Sequence, residues 1–314
     1  MPLLSIVIPV YNEEESIALI APALSGALAA CDIDYEIIFI DDGSSDVTFD
    51  EIKKQSDTRA NIGGCVDIRG FRFSRNFGKE AAIWAGLQQA RGAAVVTMDG
   101  DLQHPPEVLP QMVSLWREGY EVVEGVKSDK GKRSFVYRAF SHLFYKLFNR
   151  LSGLNLLAAS DFKLLDRRVV GELTALDERN TFYRGLSFWV GFRSAKVEYQ
   201  VAPRLVGKTK WGFYALMKYA AGNIVGFTTA PLQIVTVIGG LLAVGSIALL
   251  IQTLVRFLLG YSQEGFTTVI ILLLLIGGAL MLSLGIIGLY IAKIYDEVKG
   301  RPRFIISEST SLED

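Results

Sequence analysis

The sequence of 314 residues has little cysteine and no excess of one charge. Two cysteines, Cys31 and Cys65, are too few for a disulfide framework, so nothing in the composition requires an oxidising compartment. The 32 basic residues nearly cancel the 33 acidic ones, so no nucleic-acid partner is expected. Intrinsic disorder is excluded, because 50% of the residues are hydrophobic and offer enough apolar surface to offset the entropy of ordering.

The apolar residues are concentrated near the C-terminal end, in two long runs without any charge. These runs cover residues 232–255 and 267–292. A helix of about 20 residues crosses a hydrocarbon core about 30 Å thick, and both runs are longer than that. We therefore predict a hairpin of two transmembrane helices. Two buried helices of a large soluble core are the alternative, which the lack of charge over such lengths disfavours.

Basic residues flank this predicted hairpin, whereas the connecting residues 256–266 carry Arg256 as their single base. Positive charge favours the cytoplasmic side of a membrane. Both termini and residues 1–231 are therefore expected in the cytoplasm, in a multi-pass protein of the inner (plasma) membrane. The N-terminal residues also lack the charged start of a signal peptide. The flanking bases are Lys196, Arg204, Lys208, Lys210 and Lys218 before the hairpin, and Lys293, Lys299, Arg301 and Arg303 after it.

The first 130 residues alternate short apolar segments with helix-like segments. Apolar strands that alternate with helices indicate a parallel sheet covered on both faces. In such sheets ligands bind outside the carboxyl ends of the strands, and a polar cluster follows each predicted strand. The predicted strands are 3–10, 35–40, 66–73 and 93–98, and the predicted helices are 13–30, 47–56, 79–90 and 106–118.

Asp99 and Asp101 follow the fourth predicted strand in an Asp-Gly-Asp sequence. Carboxylate oxygens suit hard cations such as Mg²⁺ or Mn²⁺, which often bridge one or two carboxylates to substrate phosphates. A metal there would neutralise charge that develops on a departing diphosphate. Most Asp-x-Asp sequences are solvated turns, but the position after a buried strand favours a functional site.

Two further clusters follow the second and third predicted strands. Asp41 or Asp42 could accept hydrogen bonds from a base or a ribose, and a turn with a helix N-cap is the alternative. Arg75 and Lys79 lie in the cluster 74–80, where positive charge suits nucleotide phosphates. The alternative there is a capped helix with solvated charges.

These clusters carry a resemblance to a known family. PVYNEEES (9–16), IDDGSSD (40–46), FSRNFGKEAAIWAGL (73–87) and MDGDLQHPPE (98–107) together resemble the family 2 glycosyltransferases. The resemblance implies an α/β catalytic domain of GT-A fold, Rossmann-like with a mostly parallel sheet. SDFKLLDR (160–167) and RLVGKTKW (204–211) narrow it to the polyisoprenyl-phosphate glycosyltransferases. Within these the chain looks most like the bactoprenol glucosyltransferase branch, and it is also similar to dolichol-phosphate mannose synthases.

We predict four parts of the chain, and the resemblance implies an association into homotetramers. The parts are a nucleotide-sugar-binding core, an acceptor-side part of the catalytic domain with amphipathic juxtamembrane helices, two transmembrane helices and a cytoplasmic tail. Residues 135–151 and 211–227 are the amphipathic stretches, expected either in the headgroup layer or packed on the catalytic domain. The bounds of the four parts are 1–130, 131–230, 231–293 and 294–314.

Site residues follow from the resemblance position by position. Those that match the nucleotide pocket are Pro9, Tyr11, Glu13 and Asp41, with Asp42, Arg75 and Lys79 added from their clusters. Those that match the metal site are Asp99 and Asp101, with Gln103 beside them. Those expected to take part in catalysis are Asp101, the active-site acid Asp161, and Arg204 and Lys210 near the two phosphates.

The sequence departs from this branch at three positions. Glu124 stands where relatives usually carry a neutral residue, and Lys127 stands where arginine is common. An extra carboxylate at Glu124 could alter contacts with the sugar or the phosphates. His104 replaces a more usual Asn or Asp and is predicted to be a turn variant.

The implied reaction moves a sugar from a nucleotide diphosphate to membrane polyprenyl (undecaprenyl) phosphate, with inversion, for lipopolysaccharide or another cell-envelope glycan. The second pKa of a phosphate monoester is about 6, so the acceptor is already ionised and needs no strong base. We therefore expect Asp161 to orient the acceptor or basic side chains, or to help hold the metal. UDP-glucose is the expected donor; N-acetylglucosamine, galactose, mannose and aminoarabinose donors stay open.

Three other functions compete with this one. A processive polysaccharide synthase usually carries a Gln-x-x-Arg-Trp motif and more spans, and this sequence has neither. A non-catalytic nucleotide-binding scaffold would not need Asp99, Asp101 and Asp161. A transporter is disfavoured, because neither apolar run contains a charged residue to mark a polar pathway.

Overall fold

The computed structural model describes residues 4–31, 33–57, 65–128, 160–178, 182–200, 229–260 and 265–310. The chain forms two compact units. One comprises residues 1–210 together with 301–314, and the other comprises residues 211–300. The predicted amphipathic stretches 135–151 and 211–227 lie outside the described residues.

The first unit alternates strands and helices as the sequence predicts, and each predicted strand or helix of the first 130 residues is confirmed to within three residues. The helices are α1 (Glu14–Leu28), α2 (Thr48–Asp57), α3 (Lys79–Gln89), α4 (Leu109–Arg117, after a 3₁₀ turn at Pro106–Val108), α5 (Arg167–Ala175) and α6 (Tyr183–Trp189). The strands are β1 (Leu4–Val10), β2 (Tyr35–Asp41), β3 (Cys65–Phe73), β4 (Ala94–Thr97), β5 (Val122–Lys127), β6 (Lys163–Asp166), β7 (Ser194–Tyr199) and β8 (Ile306–Ser309).

These strands form one mostly parallel sheet in the order β7-β5-β6-β4-β1-β2-β3-β8. Strand β1 pairs in parallel with β2 and β4, β2 pairs in parallel with β3, and β5 pairs in parallel with β7. Strand β6 runs antiparallel between β4 and β5, and β8 runs antiparallel beside β3. The predicted α/β GT-A fold is therefore confirmed, with antiparallel strands inserted on one side and added at one edge.

Helix α1 shows how apolar spacing builds the core on this sheet. Ile17, Ile20, Leu24 and Leu28 recur every three or four residues, so they lie on one helix face, and each is at most 2% exposed. They join one core cluster with residues of β1 and β2, among them Ile6. Each such buried side chain contributes about 1.5–3 kcal/mol relative to its exposed state.

The segment after the second apolar helix belongs to the sheet, although the sequence predicts a simple tail at 294–314. In β8, Glu308 lies opposite Arg72 of β3, and the Thr310 N–H donates to the Gly70 carbonyl oxygen at 2.9 Å. The Phe304 ring stacks on Phe73 with centroids 5.1 Å apart. The expected tail thus covers the edge of the sheet, which would otherwise expose unpaired backbone groups.

We predict that Phe304→Ala lowers the free energy of unfolding of the first unit by about 2 kcal/mol, because the stacked ring loses buried area and its aromatic contact. Urea unfolding of the detergent-solubilised chain, followed by tryptophan fluorescence, measures this. Ile305→Ala is the matched control, since Ile305 is 50% exposed and should cost under about 0.5 kcal/mol. Equal costs for the two variants would contradict a role for the stack.

The second unit contains two long helices, α7 (Ala230–Leu258) and α8 (Phe266–Val298). They contain the two predicted apolar runs, and they contact each other. Their most apolar parts, Pro231–Arg256 and Leu272–Val298, have mean hydropathies of 2.6 and 2.5, and neither is buried inside the protein. A core helix of a soluble protein would be buried, so these helices indicate association with a membrane.

Candidate active site

The sheet topology brings Asp99 and Asp161 to the same edge. Strand β4 ends at Thr97, and the antiparallel strand β6 begins opposite it at Lys163. The residues just after β4 therefore meet those just before β6. The Thr97 hydroxyl fastens the two segments by donating to the Asp161 carbonyl oxygen at 2.5 Å.

Four charged side chains meet at this edge, and we name Lys79, Asp99, Asp161 and Arg184 the charge cluster. The Lys79 Nζ lies 2.6 Å from Asp99 Oδ1 and 2.8 Å from Asp161 Oδ2. Arg184 grips the same Asp161 carboxylate with two bonds, Nε to Oδ1 at 2.7 Å and Nη2 to Oδ2 at 2.7 Å. Such a bidentate pair fixes orientation as well as charge.

The cluster shifts the pKa of each of its carboxylates. Burial would raise the pKa of Asp161, but Lys79 and Arg184 outweigh burial and hold it well below its usual value. The pKa of Asp99 is lowered in the same way, with burial opposed mainly by Lys79. Burial would lower the pKa of Lys79, and the two carboxylates raise it instead. All three groups are therefore charged at neutral pH.

The Asp99–Asp101 turn is held by its own backbone and by a buried histidine. The Asp99 N–H donates to His104 Nδ1 at 3.1 Å, and the Gln103 N–H donates to Asp101 Oδ1 at 3.1 Å. A Cβ on Gly100 would lie 2.8 Å from a Val10 methyl group, so the turn requires glycine there. The two acids are thereby presented from a rigid turn.

His104 is more than the turn variant that the sequence predicts. Its ring is 3% exposed and stacks on Phe162 with centroids 4.9 Å apart. Burial lowers the pKa of His104, against the opposing effect of Asp99, so the imidazole is neutral and free to accept the Asp99 N–H. Its signal in the sequence was a departure from the family, without a cue that the ring is buried.

The residues at the turn fit a divalent ion that arrives with a diphosphate. Among the described residues, no three His, Cys, Asp or Glu side chains converge to hold a metal by themselves. Asp99 and Asp101 offer two carboxylates, and Mg²⁺ commonly takes one or two together with substrate phosphates and water. The donor set therefore suits a shared ion and not a closed protein cage.

Asp41 and Asp42 both turn inward and hold loops. Asp41 Oδ1 accepts from the Ser44 N–H at 2.9 Å, and its Oδ2 lies 3.5 Å from Arg72 Nε. Asp42 accepts the N–H groups of Phe77 at 2.7 Å and of Gly78 at 2.9 Å. Burial raises the pKa of each carboxyl. Both acids therefore shape the loops before α2 and α3, and the contact with base or ribose stays a prediction.

Gly43, which follows these acids, has a φ of 72°, and a Cβ there would lie 2.6 Å from the Arg75 carbonyl carbon. The two loops therefore approach closely. Arg75 itself is exposed, with its guanidinium 4.0 Å from the Phe77 ring centroid. The structure places it at this loop contact and does not bring it into the charge cluster.

The remaining predicted pocket residues lie where β1 ends. Pro9 pairs with Ile40 in the sheet, and Tyr11 is 39% exposed beside it. The Glu13 N–H donates to Thr48 Oγ1 at 2.9 Å, and its carboxylate accepts from Ser16 at 3.2 Å. Pro9 and Tyr11 are the chain neighbours of Val10, which lies opposite Asp41 in the sheet. Arg204 and Lys210, the basic residues predicted to take part in catalysis, lie outside the described residues.

Sequence reasoning missed two basic residues of the site. Arg184 lies on α6. It does not follow any strand predicted from the sequence, so the expectation of ligands at strand ends gives no indication of it. Lys127 is the last residue of β5, which is parallel to β4. In the sequence it stands out only as a departure from the arginine that is common in this branch of the family. Burial lowers the pKa of Lys127; Asp99 opposes this effect, and Arg184 and Lys79 add to it.

Glu124 forms an ion pair with Lys163. Its Oε1 accepts from Lys163 Nζ at 2.5 Å, and the same ammonium group donates to Ser187 Oγ at 2.6 Å. Lys163 is 1% exposed. The unusual carboxylate is therefore matched by a buried lysine behind the charge cluster.

Comparison with known proteins gives consistent matches over nearly the whole chain. The family model described as Glycosyl transferase family 2 matches residues 5–174. The SfII prophage-derived bactoprenol glucosyl transferase of Shigella flexneri is 37% identical over 313 residues, 98% of each chain. An uncharacterized glycosyltransferase of Synechocystis is 36% identical over 317 residues, 99% of this chain and 96% of that one. A prophage bactoprenol glucosyl transferase homolog of Escherichia coli is 36% identical over 307 residues, 96% of this chain and 98% of that one.

Proposed function

The chain belongs to glycosyl transferase family 2 and is a glycosyltransferase, and we propose that it transfers a hexose from a nucleotide diphosphate to the phosphate of a polyprenyl lipid. The expected donor is UDP-glucose, and the expected acceptor is undecaprenyl phosphate. The observation that carries the proposal is the charge cluster at the carboxyl edge of the sheet. It joins Asp99, an acid of the proposed metal site, to two cations for phosphates, Lys79 and, through Asp161, Arg184. The relatives that act on bactoprenol, similar over nearly the full length, support the lipid acceptor.

The fold also supports a membrane-bound arrangement with the catalytic unit on one side. The chain leaves the first unit, forms α7 and α8, and returns to pair β8 with β3. If both helices cross the membrane, the segments before and after them lie on the same side, as that pairing requires. The basic flanks support a cytoplasmic location for that side. There the catalytic unit meets both a soluble donor and a lipid phosphate.

The chemistry of the acceptor sets the task of the site. Its phosphate has a second pKa of about 6, so an anionic oxygen attacks the anomeric carbon without losing a proton to the protein. The bond from that carbon to the donor phosphate oxygen breaks, and its electron pair leaves with the nucleotide diphosphate. Attack on the opposite face inverts the anomeric centre.

Asp161 works in this reaction as a positioning carboxylate. Both of its oxygens are engaged by Lys79 and Arg184, and those two cations hold its pKa well below its usual value. A carboxylate so stabilised is a poor proton acceptor at neutral pH. It holds two cations toward the phosphates that meet at the anomeric carbon, which is electrostatic preorganisation.

A divalent ion held by Asp99 and Asp101, when bound, would neutralise negative charge on the leaving diphosphate. Lys127, at the end of β5, is a further candidate contact for a phosphate. Arg204 and Lys210 remain proposed contacts of the acceptor phosphate. The homotetramer remains part of the proposal.

We expect the purified full-length protein to form a lipid-linked hexose when incubated with undecaprenyl phosphate and UDP-glucose. Mass spectrometry of the lipid product identifies the sugar, using UDP-N-acetylglucosamine, UDP-galactose, GDP-mannose and a UDP-aminoarabinose derivative as competing donors. Exhaustive chelation should reduce turnover by at least about 100-fold, because the diphosphate loses its counter-charge, and added Mg²⁺ or Mn²⁺ should restore it.

The Asp99→Ala/Asp101→Ala double variant is the matched control, and it should stay inactive after the metal is restored. A product carrying another sugar would replace glucose in the proposal. Failure with every donor would favour the non-catalytic scaffold. Undiminished turnover after chelation would remove the metal from the mechanism.

A further inference from the structure

One lysine serves two acidic residues at the site. Lys79 Nζ lies 2.6 Å from Asp99 Oδ1 and 2.8 Å from Asp161 Oδ2. The three side chains are 42%, 30% and 8% exposed, respectively. Two negative groups so close repel each other unless a cation lies between them. In this structure the lysine ammonium occupies that place.

The carboxylates of Asp99 and Asp161 differ in the charged partners that remain if Lys79 moves away. Asp161 retains Arg184, bound through two bonds of 2.7 Å. Asp99 retains the bond from its backbone N–H to His104, which does not touch its carboxylate charge. In the described part of the chain, Lys79 is the ion-pair partner of Asp99. Loss of that contact would therefore release Asp99 and leave Asp161 neutralised.

The position and side chain of Lys79 allow it to move away from Asp99. It is the first residue of α3, and its four-carbon side chain carries a compact charge with rotatable donors. Its Asp161 contact can act as the pivot while the contact with Asp99 opens. A divalent ion on Asp99 would repel the ammonium group at this distance, so the two cations cannot share that carboxylate without a large cost.

We propose that Lys79 is an exchangeable counter-ion of the donor site. Without donor it neutralises Asp99 and weakens the binding of free divalent ions. When the nucleotide diphosphate arrives, Lys79 leaves Asp99 for a diphosphate oxygen, and Asp99 becomes available to the ion that accompanies the donor. This inference rests on the proposed function, since it takes the Asp99 turn to be the metal site.

The exchange makes a measurable coupling between two ligands. Because the diphosphate removes a competitor of the ion, nucleotide should strengthen Mn²⁺ binding, and Mn²⁺ should strengthen nucleotide binding by the same factor. Direct contact of ion and phosphate adds to this coupling in any variant. Removal of the lysine charge takes away the part that comes from the exchange.

The test is a Mn²⁺ titration of the full-length protein in detergent, followed by electron paramagnetic resonance, with and without UDP. Without UDP, Lys79→Met should bind Mn²⁺ at least about tenfold more tightly than the unsubstituted protein. The factor by which UDP strengthens Mn²⁺ binding should fall by at least about tenfold. Lys79→Arg keeps the positive charge and should retain weak Mn²⁺ binding without UDP.

Lys54→Met is the matched control. Lys54 also pairs with a carboxylate, Glu51 at 2.5 Å, but on the surface of α2, so neither Mn²⁺ constant should change. Unchanged or weaker Mn²⁺ binding in Lys79→Met would overturn the exchange. Asp99→Asn, titrated with Mn²⁺ in the presence of UDP, separates the two hypotheses. If it then binds Mn²⁺ as well as the unsubstituted protein, the metal site itself is wrong, whereas loss of binding leaves the Lys79 comparison decisive.

Discussion

Asp161→Ala is expected to lower kcat by about 10³-fold, at saturating concentrations of donor and acceptor. The carboxylate is 8% exposed on its side chain and holds both Lys79 and Arg184. Without it, two cations repel each other and lose the geometry in which they would face the phosphates. Removal of one preorganised electrostatic group typically costs about 10²–10³-fold, and this one positions two.

Asp161→Asn separates positioning from base catalysis. The lowered pKa of Asp161 leaves it ionised throughout the neutral range, so the variant should lose rate without losing an ionisation between about pH 5 and 8. A general base would instead take one limb of the pH–rate profile with it. Loss of that limb would contradict the positioning role.

The same shift has a consequence for stability. Since the folded pKa of Asp161 lies below its unfolded value, the stabilisation is present above about pH 4 and is lost as the pH falls toward the folded pKa. Stability near neutral pH should therefore not vary with this group.

Asp50→Asn is the control for both Asp161 variants. Asp50 lies on the surface of α2, 3.9 Å from Lys53, so its substitution should leave both kcat and the pH profile unchanged.

The local elements of the fold were predictable because their signals are local. Strands β1 to β4 read as apolar segments, and the polar residues Asp41 and Asp99 lie where those segments end. Parallel packing then brings such ends to one edge without further information. The existence of a polar site at that edge therefore followed from the sequence.

The parts of the site and of the sheet that could not be predicted depend on contacts between residues distant in the sequence. Asp161 lies near Asp99 because β6 runs antiparallel beside β4, and Arg184 reaches Asp161 because α6 packs against α3 and α5. Strand β8 pairs with β3 across more than 230 positions, and its residues Ile306–Ser309 form a short edge strand without a distinctive pattern. Register between such segments is set by tertiary packing, which no local pattern encodes.

Polar residues at strand ends also hold the backbone of neighbouring loops, a role that the sequence does not distinguish from ligand binding. The sequence offered a helix cap or a ligand contact for Asp42, and the structure shows a third arrangement, in which it accepts backbone N–H groups of Phe77 and Gly78 on the neighbouring loop. His104 similarly holds the backbone of Asp99. Local chemistry identifies such residues as important, and only the fold decides which backbone they hold.

Lys163→Met is expected to destabilise the first unit by about 3–5 kcal/mol, the usual cost of removing one partner of a buried ion pair. Lys163 is 1% exposed, Glu124 is 13% exposed, and their charged atoms lie 2.5 Å apart. Burial lowers the pKa of Lys163, and Glu124 counteracts that effect, so Lys163 depends on Glu124 to keep its charge. Urea unfolding of the full-length protein measures the loss.

The double variant Glu124→Leu/Lys163→Met supplies the control, because replacing both partners with apolar side chains removes the unpaired charge and should recover most of that loss. It would also bring position 124 to the neutral character that the family resemblance predicts. No recovery would mean that the lysine stabilises the fold through Ser187 and not through the ion pair.

The activity of the double variant then tests how far the pair supports catalysis. Lys163 Nζ donates to Ser187 Oγ at 2.6 Å, and the same hydroxyl donates to the Arg184 carbonyl oxygen at 3.2 Å. The pair therefore ties α6, which carries Arg184, to β6, which follows Asp161. We expect a double variant with restored stability to show a reduced kcat, because apolar packing replaces the burial of this pair but not its hydrogen bond to the helix that holds Arg184.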